Sequence, residues 1–213
     1  DAHSATSVFG TGGGIVWDST AEDEYDELLL KARFLTQAAK PFSLLETLLL
    51  KTGHFVLIER HLQRLSRSAR HFGYPFDEVK CREALDALAA RFPTQAMRVR
   101  MTLSPEGVID LETFALSAIA IEGGSIALAS APVSRGDAML QHKTTQRALY
   151  DQALAAHAGV FDVLLWNEEG ELTEFTRGNL VLDIEGGRST PPLECGLLDG
   201  TLRRELLERG EVS

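Results

Sequence analysis

The chain has 213 residues, 44% of them hydrophobic and 24% charged, which is enough for one large domain or two small ones with a sizeable core. Its formal net charge of −10 disfavours nucleic-acid and membrane-surface partners, because proteins that bind them present a basic patch. No apolar run has the length of a transmembrane helix and no signal peptide begins at residue 1, so we expect a cytoplasmic protein.

The first segment joins a glycine turn to an acidic helix. Three glycines precede the short strand-like run 15–17, and Ser19 is placed to cap a helix that continues to Ala32. Glu24 and Glu27 lie three residues apart and therefore share a face of that helix. The residues alone fit either a flexible leader with a solvated amphipathic helix or a fragment of a substrate site.

The run GGGIVWDSTAEDEYDELLLKA resembles the last strand and helix of the chorismate-utilising enzymes, such as aminodeoxychorismate synthase component I and anthranilate synthase. This resemblance implies that Glu27 matches a magnesium-binding glutamate and that Lys31 faces the substrate. Because the bulk of that domain is missing, we expect residues 1–32 to be its C-terminal remnant. Magnesium would then serve only the absent synthase domain, and Glu27 would not function as a metal ligand here. Residues 33–41 are the predicted linker.

The next block predicts a hairpin followed by a helix. Two apolar runs, 42–50 and 55–58, flank a short polar connection that contains Gly53. Apolar residues then recur at helical spacing, at Leu62, Leu65, Ala69 and Phe72, which places Arg64 on a neighbouring face.

A second amphipathic helix is predicted over residues 77–92, and a second hairpin over 96–103 and 108–114. Alternation along the first of these strands puts Arg98 and Arg100 on one face. Each arginine is either exposed to solvent or able to bind a substrate carboxylate through two hydrogen bonds. The two cysteines, Cys81 and Cys195, are too few for a disulfide framework or a zinc site, and we expect unpaired thiols.

Lys143 follows a predicted strand at 126–129 and an irregular loop, and it precedes a helical run at 148–158. Most lysines near a helix start are solvated. A partly desolvated lysine, however, keeps a nucleophilic amine and can bond to an aldehyde. Glu174 stands between two strand-like runs, 161–166 and 180–184.

A pyridoxal cofactor needs a lysine for its aldehyde, an acid for its pyridine nitrogen, and cations or amides for its phosphate. Lys143 and Glu174 can supply the first two. Arg64 is one candidate for the third, and a glycine turn that opens a helix near Gly200 and Thr201 is another, because free amides at a helix start suit an anion.

Four motifs, HLQRL, HKTTQRALYD, LTEFTRGNL and GLLDGTLR, occur in this order and resemble the fold-type IV pyridoxal-phosphate enzymes, which include branched-chain and D-amino acid aminotransferases and aminodeoxychorismate lyase. The lysine motif is most similar to the lyase. The resemblance implies a two-lobed α/β (α+β) fold with mixed, largely antiparallel sheets, divided into a small lobe at 42–122 and a cofactor lobe at 123–213. Relatives carry a further element or two, so we expect the second lobe to be truncated at its C-terminus and incomplete.

The resemblance also implies a role for each candidate residue. Lys143 holds the cofactor and then acts as general base, and Glu174 keeps the pyridine nitrogen protonated. The other implied cofactor contacts are Arg64, Gly200 and Thr201. The implied substrate contacts are Arg100 and Glu46. The family usually builds its site at a dimer interface, so we expect a homodimer.

The implied reaction converts 4-amino-4-deoxychorismate to 4-aminobenzoate and pyruvate, a step toward folate, within a fused synthase and lyase whose synthase would take a glutamine amidotransferase partner. Two alternatives remain open. One is an aminotransferase of small or branched-chain amino acids that uses the same lysine. The other is a non-catalytic domain of the synthase.

Overall fold

The computed structural model describes residues 41–116 and 124–213. The predicted remnant helix, Glu27 and the linker up to residue 40 lie outside the described residues. Phe42–Ser213 belong to one compact unit, which is described below.

The first lobe is built on a four-stranded antiparallel sheet of β1 (Leu44–Lys51), β2 (His54–Phe55), β3 (Met97–Leu103) and β4 (Ile109–Ala115). The strands lie in the order β2-β1-β3-β4. Both predicted hairpins are therefore present. The predicted second strand at 55–58 is too long, however. Leu57 takes a left-handed conformation with φ 54° and serves as the N-cap of the next helix, so β2 ends at Phe55.

Two helices cover one face of this sheet. They are α1 (Ile58–Phe72), which begins a turn before the predicted periodicity, and α2 (Glu78–Arg91), whose N-cap Asp77 accepts a hydrogen bond from the Lys80 backbone amide at 3.2 Å. Alternation along β1 points Leu44, Glu46, Leu48 and Leu50 toward the helices, and all four are buried. Thr47 and Leu49 face the other way, across from Arg100 and Arg98 on β3.

The second lobe contains a three-stranded sheet and a hairpin. The sheet consists of β5 (Ile126–Leu128), β6 (Asp162–Trp166) and β7 (Leu172–Phe175), in which β5 and β6 are parallel and β6 and β7 antiparallel. The hairpin pairs β8 (Leu182–Ile184) with β9 (Gly187–Ser189). The predicted mixed, largely antiparallel α/β fold is confirmed. Glu174 lies within β7 rather than in a connection, because a tight turn at Asn167–Gly170 folds β7 back onto β6.

Three short helices complete the second lobe: α3 (Ala138–Gln141), α4 (Ala148–Ala155) and α5 (Thr201–Glu208). A 3-10 turn at Leu193–Cys195 precedes α5. No helix in residues 41–116 or 124–213 is long and apolar enough to cross a membrane.

The segment between α3 and α4 runs alongside β1 of the first lobe. The Leu45 amide donates to the Lys143 carbonyl at 2.9 Å, and the Thr145 amide donates to the Ser43 carbonyl at 2.9 Å. The Thr145 hydroxyl also accepts a hydrogen bond from the Ser43 amide. Backbone pairing to a central strand therefore fixes Lys143 where the two lobes meet.

Candidate active site

A cavity of about 410 Å³ lies where the two lobes meet. The first lobe contributes Thr47, His61 and Arg64 to its wall, and the second contributes the segment around Lys143, the end of β7 and the start of α5. Four of the residues singled out in the sequence therefore line a single cavity: Arg64, Lys143, Glu174 and Thr201.

The amine of Lys143 is largely withdrawn from solvent. Burial lowers its pKa, and the positive charges of Arg64 and Arg147 lower it further, against the opposing effect of Glu46 and Glu174. A lowered pKa leaves more of the free amine at neutral pH, and the free amine is the form that acts as a nucleophile or base.

Glu174 is 4% exposed and held by two side chains. The Tyr150 hydroxyl donates to its Oε1 at 2.9 Å, and the Asn179 amide donates to its Oε2 at 3.4 Å and to the Leu198 carbonyl at 2.8 Å. Burial raises the pKa of Glu174 to about 7, although the Tyr150 hydrogen bond and the nearby Lys143 oppose the rise. A cation placed beside this carboxylate would stabilise its ionised form.

Arg64 is buried and fixed in orientation. Its guanidinium donates to both oxygens of Glu46, at 2.8 and 2.5 Å, and to the Asp199 carbonyl at 3.2 Å. Such a two-point contact holds the guanidinium plane in place. Arg203 also lines the cavity, and its guanidinium is held by the Pro191 carbonyl at 2.8 Å.

The start of α5 faces the same cavity with unpaired backbone amides. Gly200 is its N-cap without a side-chain cap, and the Arg204 amide donates to the Gly200 carbonyl, so the amides before Arg204, including that of Thr201, point out of the helix. A Cβ at position 200 would collide with the Asn179 side chain, which requires glycine there. Free amides and the helix dipole favour an anion at this point.

The two predicted substrate contacts do not reach the cavity wall. Glu46 is 1% exposed beneath Arg64 and His61, because alternation along β1 turns it toward the helices while Thr47 faces the cavity. Burial would raise the pKa of Glu46, but Arg64 and His61 outweigh burial and lower it. Arg100 lies across from Thr47 on β3 and pairs with Glu112 at 2.5 Å.

Several residues of the site were missed in the sequence. They are His61, Arg147, Tyr150 and Asn179. His61 could have been found, because it lies three residues before Arg64 and therefore on the same helix face. Tyr150 and Asn179 stand within two of the four motifs, but their contacts with Glu174 could not be foreseen, because these depend on how α4 and the turn after β7 pack.

The residues present fit pyridoxal phosphate. The cavity holds a lysine with a lowered pKa and a buried carboxylate, the two groups that the aldehyde and the pyridine nitrogen require. A fixed arginine and the amide-rich start of α5 meet the requirement of the phosphate.

Comparison with known proteins places the chain in a family. Residues 43–212 match the model of amino-transferase class IV, and residues 2–37 match that of chorismate binding enzyme, which confirms both resemblances. A Schizosaccharomyces pombe protein provisionally named an aminodeoxychorismate lyase is 33% identical over 170 residues, covering 75% of this chain and 71% of the relative.

Two solved structures share the fold. A Mesorhizobium loti protein provisionally described as an amino-acid aminotransferase has a TM-score of 0.73 and 35% identity, covering 81% of this chain and 85% of that one. A Mycobacterium tuberculosis protein, described as a hypothetical aminotransferase in its pyridoxal-phosphate-bound form, has a TM-score of 0.70 and 26% identity, covering 80% of this chain and 70% of that one. The chain belongs to the class IV aminotransferase family and is a fold-type IV pyridoxal-phosphate enzyme of the lyase or aminotransferase kind.

Proposed function

We propose that this chain is an aminodeoxychorismate lyase, which converts 4-amino-4-deoxychorismate to 4-aminobenzoate and pyruvate. The observation that carries the proposal is the pairing, on one chain, of a chorismate-binding match at residues 2–37 with a class IV domain whose cavity unites Lys143 and Glu174. The S. pombe relative supports the same reaction. Pyridoxal phosphate, when bound, supplies an electron sink for the carbon that bears the substrate nitrogen.

Lys143 is the residue that moves a proton. Its Nζ would attach the resting cofactor and, once released by the substrate amine, would take the proton from the carbon beside the nitrogen. The lowered pKa favours the unprotonated amine that this step needs. Backbone hydrogen bonds between its segment and β1 fix the position of the Lys143 backbone beside the cavity.

Glu174 would hold the pyridine nitrogen in its protonated form. Its carboxylate can do so only when ionised, and Tyr150 and Asn179 stabilise the ionised form by donating to its two oxygens. Arg64 and the amides at the start of α5 would hold the phosphate, while Glu46 positions Arg64 from behind. The carboxylates of the substrate fit Arg147 and Arg177, which also line the cavity.

A second candidate is an aminotransferase of small or branched-chain amino acids. The M. loti structure, described as an amino-acid aminotransferase, favours it because its identity to this chain, 35%, is no lower than the 33% of the S. pombe relative. The two reactions share Lys143 and differ in the fate of the substrate carbon skeleton, so their products separate them.

The test is product analysis on the purified chain with pyridoxal phosphate. With aminodeoxychorismate as substrate, a lyase releases 4-aminobenzoate and pyruvate in equal amounts. Fluorescence detects the 4-aminobenzoate, and a coupled lactate dehydrogenase assay detects the pyruvate. An aminotransferase instead consumes an amino acid and a 2-oxo acid in equal amounts. A non-catalytic synthase domain would give neither product and would leave no cofactor on Lys143. Lys143→Ala is the matched negative control.

The wider setting of this reaction is also part of the proposal. A lyase that makes 4-aminobenzoate would act toward folate in the cytoplasm, as one part of a fused synthase and lyase. The match at residues 2–37 supports the fusion. The full synthase would take magnesium and a glutamine amidotransferase partner, and the class IV domain would form a homodimer. Size-exclusion chromatography with light scattering tests the last point.

A further inference from the structure

His61 connects the buried carboxylate of Glu46 to the start of α5. Its Nδ1 lies 2.7 Å from Glu46 Oε2, and its Nε2 lies 3.4 Å from the Thr201 hydroxyl oxygen. His61 is 6% exposed, and both His61 and Thr201 line the cavity. The chain Glu46–His61–Thr201 therefore runs from the back of Arg64 to the point where α5 offers its free amides.

The roles of donor and acceptor along this chain follow from its buried end. Glu46 is ionised, because Arg64 and His61 hold its pKa below the ordinary value, and an ionised carboxylate only accepts hydrogen bonds. His61 must therefore carry a hydrogen on Nδ1. A neutral ring then has a bare Nε2, which accepts the hydrogen of the Thr201 hydroxyl.

The two protonation states of His61 consequently present different groups to the cavity. With a neutral ring, the Thr201 hydrogen points to Nε2 and only oxygen lone pairs face the cavity, which repel an anion. With an imidazolium, Nε2–H donates to the Thr201 oxygen, and the hydroxyl hydrogen becomes available to an anion bound at the start of α5.

We propose that His61 is a positioning residue for the phosphate site: as the imidazolium it turns the Thr201 hydroxyl into a donor toward the phosphate, so that phosphate binding takes up one proton. The inference rests on the proposed function only through the cofactor phosphate. It does not depend on which reaction the enzyme carries out.

The charged groups around the imidazole come from every element that packs near it. Glu46 on β1 is an anion in contact with the ring, and Arg64 on α1 is a cation paired with the same carboxylate. Lys143, on the segment after α3, and Arg203, on α5, also line the cavity as cations. A bound phosphate dianion adds negative charge on the same side as these cations and shifts the balance toward the imidazolium.

The test is the pH dependence of pyridoxamine 5′-phosphate binding to the full chain between pH 7 and 8.5, measured by calorimetry. This ligand lacks the aldehyde and so forms no bond to Lys143, and its phosphate is a dianion throughout this range. Pyridoxamine, which has the same ring and amine but no phosphate, is the reference ligand. Dividing by its affinity cancels the pH dependence that comes from titration of the ring and the amine. If binding of the phosphate takes up one proton, the affinity for pyridoxamine phosphate relative to pyridoxamine should fall by up to about tenfold for each unit that the pH rises.

Thr201→Val keeps the shape of the side chain but removes the hydroxyl, so its relative affinity should be weaker at pH 7 and should fall less steeply with rising pH, because only the direct attraction between phosphate and imidazolium remains. Thr201→Ser restores the hydroxyl and should restore the slope. Circular dichroism confirms that each variant is folded.

A flat profile in the unsubstituted chain, or the same slope in Thr201→Val, overturns the inference while leaving the proposed function intact. Failure of pyridoxamine phosphate to bind overturns both. A normal slope in a chain without lyase activity overturns the proposed function alone.

Discussion

Lys143 and Glu174 show how burial adapts ordinary side chains to a chemical task. Burial lowers the pKa of the lysine and raises that of the glutamic acid, because it favours the uncharged form of each side chain. Glu174 would then exchange a proton at little cost near pH 7, and more of the Lys143 amine is unprotonated there than in a solvated lysine. A solvated lysine and a solvated glutamate at the same positions would remain charged.

The attachment site can be tested directly at Lys143. Borohydride reduction of the protein loaded with pyridoxal phosphate should leave a pyridoxyl group on this lysine, because it lines the cavity and its lowered pKa favours the nucleophilic free amine. Peptide mass spectrometry identifies the modified residue. Lys143→Ala should lose the label, and a label on Lys40 or Lys51 in the unsubstituted protein would remove the basis for the proposed function.

Glu174→Gln keeps the shape of the side chain but removes its charge. We expect the cofactor still to attach to Lys143, while turnover falls about a hundredfold, the scale of losing one electrostatic contributor. Steady-state kinetics at saturating cofactor measures the loss. Glu169→Gln is the matched control, because Glu169 pairs with Arg135 at the surface and does not line the cavity. A loss in the control instead of in Glu174→Gln would assign the pyridine contact to another acid.

Glu174 should also make the stability of the cofactor-free protein depend on pH, and Glu174→Gln is the reference protein for this effect. Folding raises the pKa of Glu174 from 4.5 to about 7, so the folded state binds this proton more tightly than the unfolded state. Its stabilising contribution is full below pH 4.5 and is lost as the pH rises through 7. The free energy of unfolding, relative to that of Glu174→Gln, should fall by about 3 kcal/mol between pH 4.5 and 8. Urea unfolding of both proteins measures the difference, and parallel profiles would contradict the raised pKa.

The elements that the sequence predicted well are those with an apolar period of their own. Helix α1 and strands β1 and β3 repeat apolar residues at the helical and strand spacings, and they form the core of the first lobe. Strand β8 falls within the predicted run 180–184, whereas strand β9 and helix α3 have only three and four residues, too short to show a period, and their positions depend on neighbours along the fold. The placement of Glu174 within β7 was missed for the same reason.

Helix α5 depends on a close approach that only glycine permits. Gly200 has φ −66° and ψ 140°, a conformation open to any residue, so the requirement comes entirely from the Asn179 side chain against it. We expect Gly200→Ala to push Asn179 away from Glu174, at a cost of about 1–3 kcal/mol, and to weaken pyridoxal-phosphate binding about tenfold. Gly136→Ala is the control, since an added Cβ there meets only the Ser134 hydroxyl at 3.9 Å. Fluorescence titration measures both affinities, and equal values would show that Asn179 moves aside without loss.

Across the described part of the chain, the cavity exists because polar contacts join the two lobes, and three of them show how. The Lys143 segment pairs with β1, Arg64 donates to the Asp199 carbonyl, and Arg60 on α1 bonds to Glu205 on α5 at 2.6 Å. The order of four motifs along the chain brought together four residues that line the cavity: Arg64, Lys143, Glu174 and Thr201. The sequence could not predict that Glu46 lies behind Arg64 or that Arg100 faces Glu112, because both depend on which face of the sheet the helices cover.

Two regions of the chain, residues 2–37 and residues 43–212, match different families. If residues 1–32 are only the end of a chorismate-binding domain, then Glu27, which matches a magnesium ligand of the synthases, has no part in the lyase reaction. Glu27→Ala should therefore leave lyase turnover on supplied aminodeoxychorismate unchanged within error, with and without added magnesium. Glu174→Gln, measured in the same assay, should lose activity and shows that the assay responds to a change in the lyase site. A large loss in Glu27→Ala would mean that this segment contributes to the lyase site and that the division between residues 1–32 and the class IV domain is misplaced.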